Sequence, residues 1–184
     1  MVTLQGQPIS QVVMPQTERD ILIDHCVRKF EERYEDDEPA EPKAYGLIGG
    51  SFSGETLTIG KIAPLRRNAR AIEPHKGFMD DALNRHAIAS VTPLDKRGWV
   101  ADPAETRSIL MDFARADLEL VGTYHMHRVS WKGDSLRDTP TKLDTILAEQ
   151  TDLLMFIISM VEPTSPIVRT FYEGDGDKEV VIAA

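Results

Sequence analysis

Cysteine is nearly missing from this chain: its 184 residues contain one, Cys26. That excludes an intramolecular disulfide and a cysteine-based metal cluster. Long apolar runs are missing as well. The longest, LLMFIISMV at 153–161, is far shorter than the roughly twenty residues a bilayer-spanning helix needs. The opening MVTLQGQPISQVVMPQ has neither the basic start nor the continuous apolar core of a secretory signal. Positive charge is scarce. Twenty-one Lys and Arg against thirty Asp and Glu give a formal net charge of −9, which argues against nucleic-acid binding and against docking on an anionic membrane. The one basic stretch, PLRRNARAIEPHK at 64–76, is the best candidate for a local cationic patch, and reads first as a solvated loop. GLIGG at 46–50 lacks a Walker lysine and the G-x-G-x-x-G spacing, so it is no phosphate cradle. Internal repeats, low-complexity tracts and linkers are also absent.

What is present is ordinary for a globular protein, with 41% hydrophobic and 28% charged residues. The length suits one domain with a full core, and a cytoplasmic setting is expected. TERDILIDHCVRKFEERYEDD (17–37) has apolar residues at helical spacing, with Thr17 as its cap. His25 and Cys26 fall inside that helix and read as packing residues. KAYGLIGGSFSGETLTIGKIAPL (43–65) reads as two strands joined around Ser51–Gly54, its glycines allowing a bulge or a close backbone approach. Residues 66–101 predict loops, a short helix near MDDALNRHA and a strand near AIASVTPL. Asp102, Pro103 and Glu105 mark a helix start. A strand at 118–127, a helix at 139–150 capped by Thr139, a buried strand at 153–160 and two edge strands (IVRTFYEG, KEVVIA) complete the pattern. Strands alternating with helices predict an α/β fold with a mixed central sheet flanked by helices.

The chemistry concentrates in HMHRVSWKGDSLRD at 125–138. Side chains alternate along a strand, so His125 and His127 project to one face about 6–7 Å apart, leaving Tyr124 and Met126 to the core. Two imidazoles plus a carboxylate at the start of the next helix, Asp138, suit a tetrahedral zinc with one open position. Such a zinc brings the pKa of a water towards neutrality. Ser135 and Asp138 also read as a capping box.

The pattern H-x-H-x7-S-x-x-D resembles that of the JAMM (MPN+) metalloproteases, and the order of elements over residues 15–175 is similar to a whole MPN domain. The resemblance implies a single MPN-like, cytidine-deaminase-like domain with short segments at 1–14 and 176–184. It implies zinc bound by His125, His127 and Asp138, with Ser135 stabilising an oxyanion. It further implies hydrolysis of a peptide or isopeptide bond, the substrate being a peptide, a ubiquitin-like protein or a sulfur-carrier protein. Members commonly pair, so a homodimer is open.

The family's general base is a glutamate three residues before the glycine of the G-L strand, and here that position is Lys43. A protonated lysine beside zinc adds like charge instead of accepting a proton. Four readings stay open. Glu41, two residues earlier on the same strand face, replaces the base. Alternatively, Lys43 leaves a feeble zinc-binding scaffold or interaction module, Glu73 or Glu105 supplies the base, or no metal binds. Arg128 stands where many members have proline, and reads as a solvated side chain or one that orients a carboxylate, such as Asp134. Trp131 reads as a loop anchor or a cover for the site. His75 and His86 are isolated and are not expected to be ligands.

Overall fold

The computed structural model describes residues 1–128 and 138–183. A short hairpin, β1 (Val2–Leu4) and β2 (Gln7–Ile9), precedes β3 (Gln11–Val13) and α1 (Gln16–Phe30). The long strands β4 (Tyr45–Ser53) and β5 (Thr56–Pro64) follow, then α2 (His75–His86) and α3 (Pro103–Arg115). Last come β6 (Glu119–His127), α4 (Lys142–Ala148), β7 (Leu154–Ser159), β8 (Ile167–Tyr172) and β9 (Val181–Ala183). Seven strands form one mixed sheet in the order β8-β7-β6-β4-β5-β3-β9. The pairs β6/β7, β3/β5 and β3/β9 are parallel, and β4/β5, β4/β6 and β7/β8 are antiparallel. The two strands expected at edges, β8 and β9, are indeed the two ends.

Period-two alternation divides the core between the faces of this sheet. Ile48, Tyr124, Phe156 and Ile158 pack with Leu22 and Cys26 of α1 on one side. Leu47, Ala63 and Leu65 pack with Trp99 and Phe113 of α3 on the other, where Met155, Ile157, Phe171 and Ala148 form a further cluster. Leu4, Ile9 and Val12 have no solvent exposure, so residues 1–14 contribute to the main core.

Glycine is needed where backbones crowd. A Cβ on Gly46 would run into the Tyr124 ring. The pairing of β4 with β5 shifts register between Gly49 and Gly50, which is the irregularity that the glycine run implies.

Several local expectations need correction. α1 is capped by Pro15 without a side-chain hydrogen bond, not by Thr17, and it ends at Phe30 rather than near 37. The reason lies in its last turn. Arg28 pairs with Glu38, and the fully buried Lys29 reaches Glu38 at 3.3 Å and the Pro39 carbonyl at 3.2 Å. These contacts draw residues 31–44 back across the helix end. Although burial works against ionisation of Glu38, the Arg28 hydrogen bond and nearby positive charge bring its carboxyl down to about 2. No strand forms near 87–94. Buried Arg70 organises the 66–101 region instead, donating to the carbonyls of Arg97 and Leu94 and pairing with Asp80. Asp102 caps α3 as expected, accepting from the Glu105 amide at 2.9 Å. α4 starts later than expected, because Thr141 and Asp144, not Thr139, form its capping box.

Candidate metal centre

The end of β6 carries the two histidines. Tyr45 of β4 pairs with His125 in register on one side of it, and Ile157 and Ser159 of β7 pair with His125 and His127 on the other. His125 and His127 therefore face away from the Tyr124–Met126 core. His125 Nε2 lies 2.9 Å from His127 Nε2. The Asp144 carboxylate straddles both rings, Oδ1 at 3.4 Å from His125 Nε2 and Oδ2 at 3.4 Å from His127 Nε2. The three residues offer ligand atoms within 4.8 Å of one another.

Asp144 is held from behind. Its Oδ2 accepts from the Thr141 amide and hydroxyl, each at 2.7 Å, so the capping box that starts α4 also fixes the carboxylate. Burial favours the neutral acid here, but the charge and hydrogen bonds of the two imidazoles override it and hold Asp144 well below the usual carboxylate range. The surroundings are aromatic and apolar. Tyr45 stacks on His125 with ring centroids 5.6 Å apart, and Trp99 stacks on Tyr45 at 5.1 Å. Burial raises the Tyr45 phenol above its ordinary range, and the charges of Asp144 and Glu41 raise it further. A cavity of about 250 Å³, walled by residues such as Leu65, Met79, Leu143 and Met155, opens against His125 and Asp144.

The donors fit a small divalent cation. Ligand bonds of about 2.0–2.1 Å in a tetrahedron imply donor–donor distances of about 3.3 Å, against the 2.9, 3.4 and 3.4 Å found. Two nitrogens and a carboxylate oxygen are donors that zinc accepts. Ser159 adds a second sign of a polar centre. Its hydroxyl is buried without a hydrogen-bond partner among the described residues, and register with strand alternation places it on the His127 face.

The expected carboxylate ligand, Asp138, is not the one that meets the imidazoles. Its Oδ1 lies 3.7 Å from Arg169 of β8, whose guanidinium also donates to the Asp138 carbonyl. The physical reason is the later start of α4: a first helical turn folds its N3 side chain back to the cap, and N3 is Asp144. Ser135, Trp131 and Asp134 lie outside the described residues.

Glu41 and Lys43 precede β4 in irregular chain and do not share a strand face. They pair with each other instead. Lys43 Nζ donates to Glu41 Oε2 at 3.0 Å and to the Gly98 carbonyl at 3.1 Å, and Asn68 donates to the same Glu41 oxygen at 3.0 Å. The lysine charge is thus engaged by a carboxylate. Glu105 binds the Arg66 and Arg67 amides, and Glu73 binds the Gly77 amide, so both serve local structure. Arg128 lies over the Phe30 ring. His75 and His86 sit at the two ends of α2, outside the donor group. His25 and Cys26 are buried. His25 Nδ1 is 2.6 Å from the Tyr124 hydroxyl, and burial pushes the Cys26 thiol far up.

The residues that sequence reasoning missed are Asp144, Thr141, Ser159 and Tyr45. One signal was available: Thr141-x-x-Asp144 repeats the spacing of Ser135-x-x-Asp138 six residues later.

No protein-family model matches the chain, and no curated protein does. Among solved structures the chain is similar to the solution structure of protein DSY2949 from Desulfitobacterium hafniense. The two share 20% identity and a TM-score of 0.59, over 93% of this chain and 91% of that one. At that identity the likeness is one of fold. No helix among the described residues is long and apolar enough to cross a membrane.

Proposed function

We propose that this chain is a zinc-dependent peptidase or isopeptidase of the JAMM type, working in the cytoplasm, with His125, His127 and Asp144 holding the ion. The observation that carries the reading is the convergence of two imidazole nitrogens and one buried carboxylate at 2.9, 3.4 and 3.4 Å. Thr141-x-x-Asp144 has the x-x spacing of the family's Ser-x-x-Asp pair, with threonine for serine and a longer loop after His127. A bound zinc supplies Lewis acidity towards a carbonyl and a water acidified towards neutral pH.

The rest is done by the chain's own side chains. Asp144 balances charge and orients both imidazoles, and Thr141 fixes its rotamer, as outer groups do around metal ligands. Tyr45 and Trp99 close one side against water. Glu41 is assigned as the proton acceptor, with Lys43 and Asn68 holding its Oε2 in place. Ser135, in the 129–137 segment, keeps the oxyanion role that the resemblance implies. The substrate is a peptide or the tail of a ubiquitin-like or sulfur-carrier protein.

The same Lys43–Glu41 pair favours a second reading, a metal-binding interaction module without turnover, since Glu41 Oε2 is already occupied by Lys43 and Asn68. One experiment separates the two. Zinc-loaded protein is incubated with a proteome-derived peptide library and with lysine-linked isopeptides, and new amino groups are mapped by mass spectrometry. Cleavage that disappears with chelator, with His125→Ala and with Glu41→Gln supports the hydrolase. Cleavage indifferent to chelator and to His125→Ala refutes it, and zinc binding with no cleavage at all selects the module.

A further inference from the structure

Next to the metal centre lies a cleft of about 910 Å³ whose charge opposes that of the whole protein. Lys43, Arg70, Lys76, Lys96, Arg97 and Arg128 line it, against Glu41 and Asp95, in a chain of net charge −9. Some of this charge is already balanced: Lys43 pairs with Glu41, and Arg70 and Lys76 share Asp80. Lys96, Arg97 and Arg128 make no ion pair among the described residues. Lys96 and Arg128 are exposed, and Arg97 gives one N–H to the Ile88 carbonyl. The cleft leads to the donor group by two routes. Tyr45 lines both the cleft and the cavity against His125, and Arg128 directly follows His127 in the chain.

We infer that this cleft binds an acidic segment of a peptide or protein, and that Lys96, Arg97 and Arg128 select it. Taken as the track that leads substrate to the metal, the inference rests on the hydrolase reading; binding of the segment itself does not. Opposite charge at the rim draws an acidic chain in and repels a basic one, giving specificity and rate more than tightness. A nucleic acid is the poorer occupant. A long polyanion meets the field of the whole acidic protein, whereas a short acidic segment meets the local cations.

The test measures fluorescence anisotropy of a labelled decapeptide of alternating Glu and Gly on the full-length protein, beside its Lys counterpart and an oligo-dT strand. The Glu peptide is expected to bind best and to weaken as salt rises. The double variant Lys96→Glu/Arg128→Glu changes two exposed side chains, and circular dichroism verifies its fold. It is expected to lose at least about tenfold in affinity for the Glu peptide. If the Lys peptide or the oligonucleotide binds as well as the Glu peptide, or the double variant holds its affinity within about twofold, the inference is overturned. These outcomes are independent of turnover. Failed hydrolysis with the Glu preference intact removes only the hydrolase reading, and cleavage with no preference removes only this inference.

Discussion

Replacing His25 with glutamine isolates a single buried titration. The ring is 3% exposed, its Nδ1 meets the Tyr124 hydroxyl, and its Nε2 has no partner among the described residues. A proton added to it would be a buried charge with an N–H lacking an acceptor, so burial first, then Arg28 and Lys29, lower its pKa from 6.5 to about 4. The sign follows from which state binds the proton. Between those two values the unfolded chain takes up a proton that the folded chain refuses, so the stabilisation is fully present above pH 6.5 and is lost as pH falls towards 4. From pH 7 to pH 5 the loss integrates to about 2 kcal/mol. Glutamine keeps a polar atom for Tyr124 and does not titrate. Urea unfolding of both proteins at the two pH values gives the double difference directly. The variant is expected to lose about 2 kcal/mol less than the parent on acidification. A stability gap between them that stays the same at pH 7 and pH 5 would refute the reasoning.

Other perturbations test the scaffold around the candidate metal centre. Thr141→Ala removes the cap of α4 and is expected to cost about 1 kcal/mol in denaturant unfolding. Because Thr141 also clamps Asp144, the same variant should weaken zinc binding about 10–100-fold by competition with a chromogenic chelator. Gly46→Ala drives a methyl into the Tyr124 ring and hydroxyl. That should lower stability by about 1–3 kcal/mol and shift the His25 resonances in NMR spectra, since Tyr124 is its partner.

Much of the scaffold is legible in the sequence, and what is not has physical causes. The alternation of Tyr124, His125, Met126 and His127 is a local property of a strand, so which residues face the core followed from spacing alone. The Asp102-Pro103 start of α3 is equally local. The early end of α1 was not legible, because it depends on Arg28 and Lys29 meeting Glu38 across a turn, a contact without periodicity. Asp144 was obscured for a different reason. Two Ser/Thr-x-x-Asp patterns lie within ten residues, and spacing alone does not tell which carboxylate meets the imidazoles. Two-residue spacing puts Glu41 and Lys43 on a common face only if a strand already runs there. In the fold the strand starts only at Tyr45, and the two charges meet through irregular chain instead.

Zinc titration of the parent, Asp144→Asn and Asp138→Asn proteins, read by equilibrium dialysis with elemental analysis, bears most directly on the account. One zinc per chain is expected in the parent and in Asp138→Asn. Asp144→Asn should lose more affinity than the 10–100-fold that outer groups typically contribute. A parent that takes up no zinc would contradict the account, as would a site that survives Asp144→Asn and is abolished by Asp138→Asn.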